Sequence, residues 1–134
     1  ILDVPDEKVK NYLTLKLLLQ PIVENAFLHG IETMNRKGLI KVRAFEDQEK
    51  LIFEVTDNGR GISENALKEL ENKLFFNRGE TEQKLGIGLK NVHERIQLYF
   101  GDSYGLKISS HENEGTLVSI TIPLIMENKN KETT

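Results

Sequence analysis

Three runs of the sequence hold residue types that could do chemistry. Asp57-Asn58-Gly59-Arg60-Gly61 follows an alternating apolar run, so a carboxylate falls where a strand should end. The two glycines after it let the chain bend sharply and let a flat ligand approach the backbone. An Asp held there can accept a hydrogen bond from an exocyclic amine. The same five residues would equally make a polar turn closed by an Asx bond, and the spacing of an EF-hand calcium loop is missing. Gly86-Ile87-Gly88 leads directly into an amphipathic run. A glycine turn feeding a helix N-terminus offers backbone N–H groups and the positive end of the helix dipole, which suits a polyphosphate. It also describes an ordinary helix-starting turn. The third glycine of a dinucleotide fingerprint would fall at Asn91, and no Gly-Lys-Ser/Thr of a Walker loop occurs.

The third run is Glu24-Asn25, inside the most apolar stretch of the chain, with His29 four residues beyond Asn25 on the same helical face. Polar side chains in such a stretch cost desolvation unless paired. They either hydrogen-bond a neighbouring loop, or Asn25 offers a neutral oxygen to a Mg²⁺ ion whose shell is completed by phosphate and water oxygens. His93-Glu94-Arg95-Ile96-Gln97 carries half of a zinc-protease helix. Gln97 stands where the second His is required, so Glu94 and Arg95 read as a solvated face. His111 falls in a turn and is assigned nothing.

The elements that must position these runs follow from periodicity. Ile1–Val4 reads as the end of a strand, and Pro5–Lys10 as a turn. Pro21 is best tolerated in a first helical turn, so a helix is expected to start or kink near Gln20. Ile22, Val23, Ala26 and Phe27 continue it to about Ile31 or Glu32. Leu39–Phe45 and Leu51–Thr56 alternate as half-buried strands, joined by a short charged connection that predicts a hairpin. Ser63 is a good N-cap for a helix striped by Leu67, Leu70 and Leu74. Asn77–Lys84 is a polar, mobile loop. Leu89, Val92, Ile96 and Tyr99 mark a last helix that Gly101 stops. Leu106–Ser110 and Thr116–Ile122 are two more strands, turned at Glu112–Gly115. Hairpin-paired strands with gathered helices predict an α+β, two-layer α/β sandwich: a mixed, mostly antiparallel sheet covered by helices on one face.

Composition bounds the reading. The chain has 134 residues, enough for one core. With 38% hydrophobic and 29% charged residues it fits a soluble globular domain. A formal net charge of −3 disfavours a general nucleic-acid binder. With no cysteine there is no disulfide scaffold, thiolate zinc site or thiol nucleophile, which agrees with a cytoplasmic setting. No apolar run nears the roughly 20 residues that cross a bilayer. The start at Ile1 suggests a fragment of a longer protein, and Glu127–Thr134 reads as a polar tail beyond a domain spanning residues 1–126.

In this order the motifs resemble the ATP-binding catalytic domain of bacterial sensor histidine kinases, the Bergerat nucleotide fold shared with gyrase, Hsp90 and MutL. Leu18-Leu19-Gln20-Pro21-Ile22-Val23-Glu24-Asn25-Ala26-Phe27-Leu28-His29-Gly30 resembles the N box of the LytS/YesM-like subgroup. Asp57–Ile62 resembles the G1 box, Gly86–Val92 the G2 box, and Gly115-Thr116 the final Gly-Thr element. The resemblance spans about Leu15 to Pro123. It implies ATP and Mg²⁺ as cofactors, with Asn25 as the magnesium ligand and His29 beside the nucleotide. Asp57 would accept the adenine amino group, with Thr116 supporting it through water. Gly59 and Gly61 would admit the base and Ile62 would pack on it. Gly86, Ile87, Gly88 and Leu89 would bring amides to the phosphates, and Phe75–Leu85 would be the ATP lid.

Departures from that pattern are informative. ATP-hydrolysing relatives carry a glutamate four residues before the magnesium Asn; here that position is Pro21, which cannot act as a base. Phosphoryl transfer to a protein side chain is therefore favoured over hydrolysis. Many histidine kinases carry Lys or Arg three residues after that Asn; here it is Leu28, which leaves Arg78, Lys84 and Lys90 as cation candidates. Glu24 is the candidate to take a proton from the acceptor histidine, the other reading being that it orients Asn25 or contacts the lid. That acceptor is expected on an upstream dimerisation domain of a cytoplasmic, membrane-anchored homodimer that signals to a response regulator, with the fragment alone a monomer. The alternatives are a non-catalytic nucleotide-sensing or docking module, and an anti-sigma-factor-like serine kinase.

Overall fold

A computed structural model describes residues 2–3, 12–31, 37–75 and 87–124. The turn at Pro5–Lys10, the loop with Arg78 and Lys84, Gly86 and the tail Glu127–Thr134 lie outside the described residues. The element order is β1 (Leu2–Asp3), α1 (Tyr12–Ala26), a π-helical turn (Phe27–Ile31), β2 (Ile40–Asp47), β3 (Lys50–Asp57), α2 (Glu64–Phe75), α3 (Ile87–Phe100), β4 (Gly105–His111) and β5 (Gly115–Pro123). The sheet order is β1-β2-β3-β5-β4. β1 runs parallel to β2, and the other pairs are antiparallel. This is the mixed, mostly antiparallel sheet that the alternation predicts.

Strand register turns that alternation into rows of side chains on one face. Ala44, Phe53, Ile120 and Leu106 form one row, and Val42, Val55, Val118 and Ile108 the next. Phe53 and Ile120 are at the centre of the core, 1% and 0% exposed. The opposite face carries exposed Lys41, Arg43, Thr56, Lys107 and Ser109. One apolar and one polar face require helices on a single side, and α1, α2 and α3 all pack there.

α2 is built as its sequence predicts. The Ser63 hydroxyl accepts from Ala66 N (3.2 Å), and Leu70 and Leu74 are buried with Leu67 packed beside them. α1 begins at Tyr12, before the start expected near Gln20, and holds Pro21 in its interior. An interior proline costs about 3 kcal/mol through its lost N–H and its clash with the preceding turn. Leu18 and Ile22, on either side of it, are buried to 2% and 1%. Their burial contributes about 1.5–3 kcal/mol each, which outweighs that cost. α3 departs at its end. Tyr99 is exposed, and Phe100, four residues beyond Ile96 instead of three, packs against the core. Gly101 N then bonds to Gln97 O at 2.9 Å where the helix stops.

Candidate nucleotide site

The third row of the sheet changes character. In register, Ile40, Asp57, Thr116 and Ser110 lie side by side across β2, β3, β5 and β4. Three strands that bury apolar side chains along their length thus each present a polar one at the same end. Above this row opens a cleft of about 420 Å³. Asp57, Thr116 and Val118 form its floor, Ile62, Ser63 and Ala66 one wall, and Asn25, Ala26 and His29 on α1 and the π-helical turn the other. Arg60 and Gly61 line it as well, together with Glu112 and Asn113 of the β4–β5 turn.

Asp57 is 5% exposed. Burial pushes its carboxyl above the ordinary carboxylate value, while backbone N–H groups of Gly59 and Thr116 oppose the shift by favouring the anion. The Gly59 bond is an Asx turn at 2.8 Å, so both readings of this run hold: it closes a turn and it presents a carboxylate to a cleft. Asn58 is structural. Its Oδ1 accepts from Leu39 N at 2.8 Å and its Nδ2 donates to Lys37 O at 3.3 Å, tying the strand end to the chain entering β2.

Two glycines make the floor possible. Gly61 has φ +71°, and a Cβ there would overlap the carbonyl of His111. Gly115 has φ +110°, and a Cβ there would overlap the carbonyl of Asp57. Asn113 N donates to Arg60 O at 2.6 Å, so the glycine loop and the β4–β5 turn are bonded into one unit. Ser110, which the sequence reading left unassigned, sits inside that unit and is buried. Its Oγ accepts from Ile62 N at 2.9 Å, donates to Gly115 O at 3.0 Å and lies 2.8 Å from Thr116 Oγ1. The signal that could have found it is phase: Leu106, Ile108 and Ser110 continue one inward alternation.

The α1 side is looser. Asn25 and His29 are half-buried and both line the cleft, in keeping with their shared helical face. The π-helical turn carries His29, whose carbonyl accepts from Arg60 Nε at 3.1 Å. Glu24 is exposed, accepts from Gln20 Nε2 at 3.1 Å, and is not among the lining residues. A Cβ on Gly88 would lie 3.6 Å from the Pro21 Cβ, so the start of α3 meets α1 one turn before Asn25. The Leu89 side chain is in the core at 1% exposure and has only its backbone to offer a ligand. Lys90 is buried at 8% and does not line the cleft, while Arg60, not among the expected cations, does. His93 is a packing residue: Nδ1 accepts from Leu106 N at 3.1 Å, and its ring packs T-shaped against Phe75 with centroids 4.8 Å apart. Phe75 belongs to the last turn of α2, so it is helix and not the start of a loop.

The family described as histidine kinase-, DNA gyrase B- and HSP90-like ATPase matches residues 10–126. The chain belongs to that family. It is 39% identical over 122 residues to the sensor histidine kinase YesM of Bacillus subtilis, covering 91% of this chain and 19% of that protein. It is 34% identical over 118 residues to the sensor protein LytS of Bacillus anthracis, covering 88% and 19%. With the sensor histidine kinase YpdA of Escherichia coli it shares 36% over 119 residues, covering 88% and 19%. The chain thus spans about a fifth of the length of these relatives. The catalytic domain of the histidine kinase ThkA superposes with a TM-score of 0.60 at 26% identity, covering 84% of this chain and 67% of that one. The blue-light activated histidine kinase of Erythrobacter litoralis EL346 shares the fold, with a TM-score of 0.63 at 23% identity, covering 96% of this chain and 35% of that one.

Proposed function

We propose that this domain binds Mg-ATP and serves the transfer of its γ-phosphoryl group to a histidine on a separate dimerisation domain of a sensor kinase. The observation that carries the reading is the buried Asp57 carboxylate in a row with Thr116 and Ser110 beneath the cleft, opposite Asn25. Such a floor fits a base bearing an exocyclic amine: Asp57 accepts one amine proton, Thr116 supports it, and Ile62 and Val118 give the ring apolar contact. Among the described residues no group of three or more His, Cys, Asp or Glu could hold a metal. The ion of this proposal would be held by the Asn25 side-chain oxygen, phosphates and water. Bound Mg-ATP supplies the phosphoryl group and neutralises its charge during transfer.

The chain's own residues then bind and orient. Amides at the start of α3, from Ile87 through Leu89, would meet the phosphate chain one turn from Asn25, and His29 and Arg60 line the cleft; Gly86 and Lys84, which lie outside the described residues, are the further amide and cation of this proposal. Pro21 offers no base one turn before Asn25, which leaves the site poor at activating water. Glu24, exposed beside Asn25, is open to the side chain of an incoming domain and takes the proton that the acceptor histidine loses. No described helix is long and apolar enough to cross a membrane. The setting we propose is the cytoplasmic part of a membrane-anchored, homodimeric sensor that signals to a response regulator. Residues 1–126 form the catalytic domain and 127–134 its tail.

Calorimetric titration with ATP and Mg²⁺, beside Asp57→Asn, tests the binding. A hydrogen bond to a charged group contributes about 1.5–3 kcal/mol, so the variant should lose about tenfold to hundredfold in affinity. Unchanged affinity in Asp57→Asn sinks the assignment. Acid-labile phosphate appearing on an added dimerisation domain supports the transfer. Normal ATP affinity without transfer gives the site to a nucleotide-sensing module instead, a reading that the half-exposed Leu28 keeps in view.

A further inference from the structure

We propose that Ser110 is a specificity-determining positioning residue that fixes the Thr116 hydroxyl as an acceptor toward the cleft, so that the site selects a 6-aminopurine over a 6-oxopurine. This rests on the nucleotide reading of the same cleft. The argument is one of proton counting. A serine hydroxyl has one hydrogen and two lone pairs. Ser110 Oγ has three neighbours: Ile62 N at 2.9 Å, Gly115 O at 3.0 Å and Thr116 Oγ1 at 2.8 Å. The Ile62 amide can only donate and the Gly115 carbonyl can only accept. Ser110 therefore spends its proton on Gly115 O. Its remaining lone pair is filled when the Thr116 hydroxyl donates to it. Every bond of Ser110 is then satisfied, and what Thr116 turns to the cleft is a lone pair.

The floor thus presents two acceptors side by side, since Asp57 and Thr116 are directly paired in register. A carboxylate alone does not discriminate between purines, because the N1–H of a 6-oxopurine can donate to it as well as a 6-amino group can. The second acceptor breaks that tie. An amino group brings two N–H donors, whereas a 6-oxo group brings a carbonyl against the Thr116 lone pair. If Ser110 is removed, the Thr116 hydroxyl is free to turn its hydrogen into the cleft and serve that carbonyl.

The test is calorimetry of the 134-residue chain with ADP and IDP. The wild type should favour ADP, and Ser110→Ala should narrow the ADP:IDP affinity ratio by about fivefold to thirtyfold, the worth of one hydrogen bond gained or opposed. Ser110→Thr keeps the hydroxyl and should restore the ratio. An equal fall for both nucleotides in Ser110→Ala would mean that the residue merely holds the loop, and would overturn the proposal. Should Ser110→Ala not fold, Thr116→Val decides: it deletes the acceptor that Ser110 governs and must narrow the ratio similarly, and an undiminished ratio there overturns the proposal. A wild type that binds neither nucleotide defeats the nucleotide reading itself, a distinguishable result.

Discussion

The two sides of the cleft are made differently. On the sheet side, Asp57, Gly59, Ile62, Ser110, Gly115 and Thr116 are cross-linked by short hydrogen bonds within and between three strands and a loop. On the α1 side, Asn25 and His29 project from one helix and its π-helical turn, with Phe27 and Leu28 beside them about half exposed. A hydrogen bond from Arg60 Nε to the His29 carbonyl joins that turn to the glycine loop. The sheet side is organised before any ligand arrives. Under the proposed function, base recognition would belong to the fold, whereas the handling of charge would be left to few side chains and to what the ligand brings.

That contrast can be broken most forcefully at Gly115. Gly115→Ala places a Cβ against the Asp57 carbonyl at φ +110°. It should cost about 3 kcal/mol, a fall of about 10 °C in Tm, and take base recognition with it. Thermal unfolding with nucleotide titration checks both, and a variant that melts and binds like the wild type would show that the floor is not rigid. A smaller effect sharpens the contrast from the other side. Asn25→Ala should lower affinity for Mg-ATP about tenfold and leave adenosine binding unchanged, because adenosine carries no phosphate. Equal losses for the two ligands would erase the distinction between the sides.

The smallest effect is one of pH. Burial raises the Asp57 carboxyl above its ordinary value of 3.8, so the folded chain holds that proton more tightly than the unfolded one. Its contribution to stability is fully present below 3.8 and is lost as pH rises through the raised value. Nucleotide affinity runs the opposite way, present above that value and lost below it, because only the anion is a full acceptor. Melting and titration across the acidic range should show these opposed slopes, and Asp57→Asn should flatten both.

Much of this was legible in the sequence because alternation is a local signal. Leu51, Phe53, Val55 and then Asp57 announce both a strand and the polar group at its end. The Ser63 cap and the Leu67-Leu70-Leu74 stripe fix α2 without help from the rest of the chain. Pro21 misled because its cost is local, while the burial of Leu18 and Ile22 that outweighs it is tertiary. Tyr99 and Phe100 are both within one turn of Ile96, and only packing against the sheet chooses between them. Ser110 was missed for a related reason. That it belongs with Asp57 and Thr116 depends on the register of β4 against β5 and of β5 against β3, and no single strand carries that register.

The burial of Asp57 has a consequence for anyone engineering this chain. A carboxyl buried at the end of β3 and pushed above its ordinary value carries a standing penalty whenever it is ionised, one that an apolar replacement would remove. A search for heat-resistant variants, scored by survival alone, would drift toward substituting the very group that the proposed chemistry requires. Such a screen has to retain a binding readout at every round, or it will select a sturdier domain without the group on which the proposed binding rests.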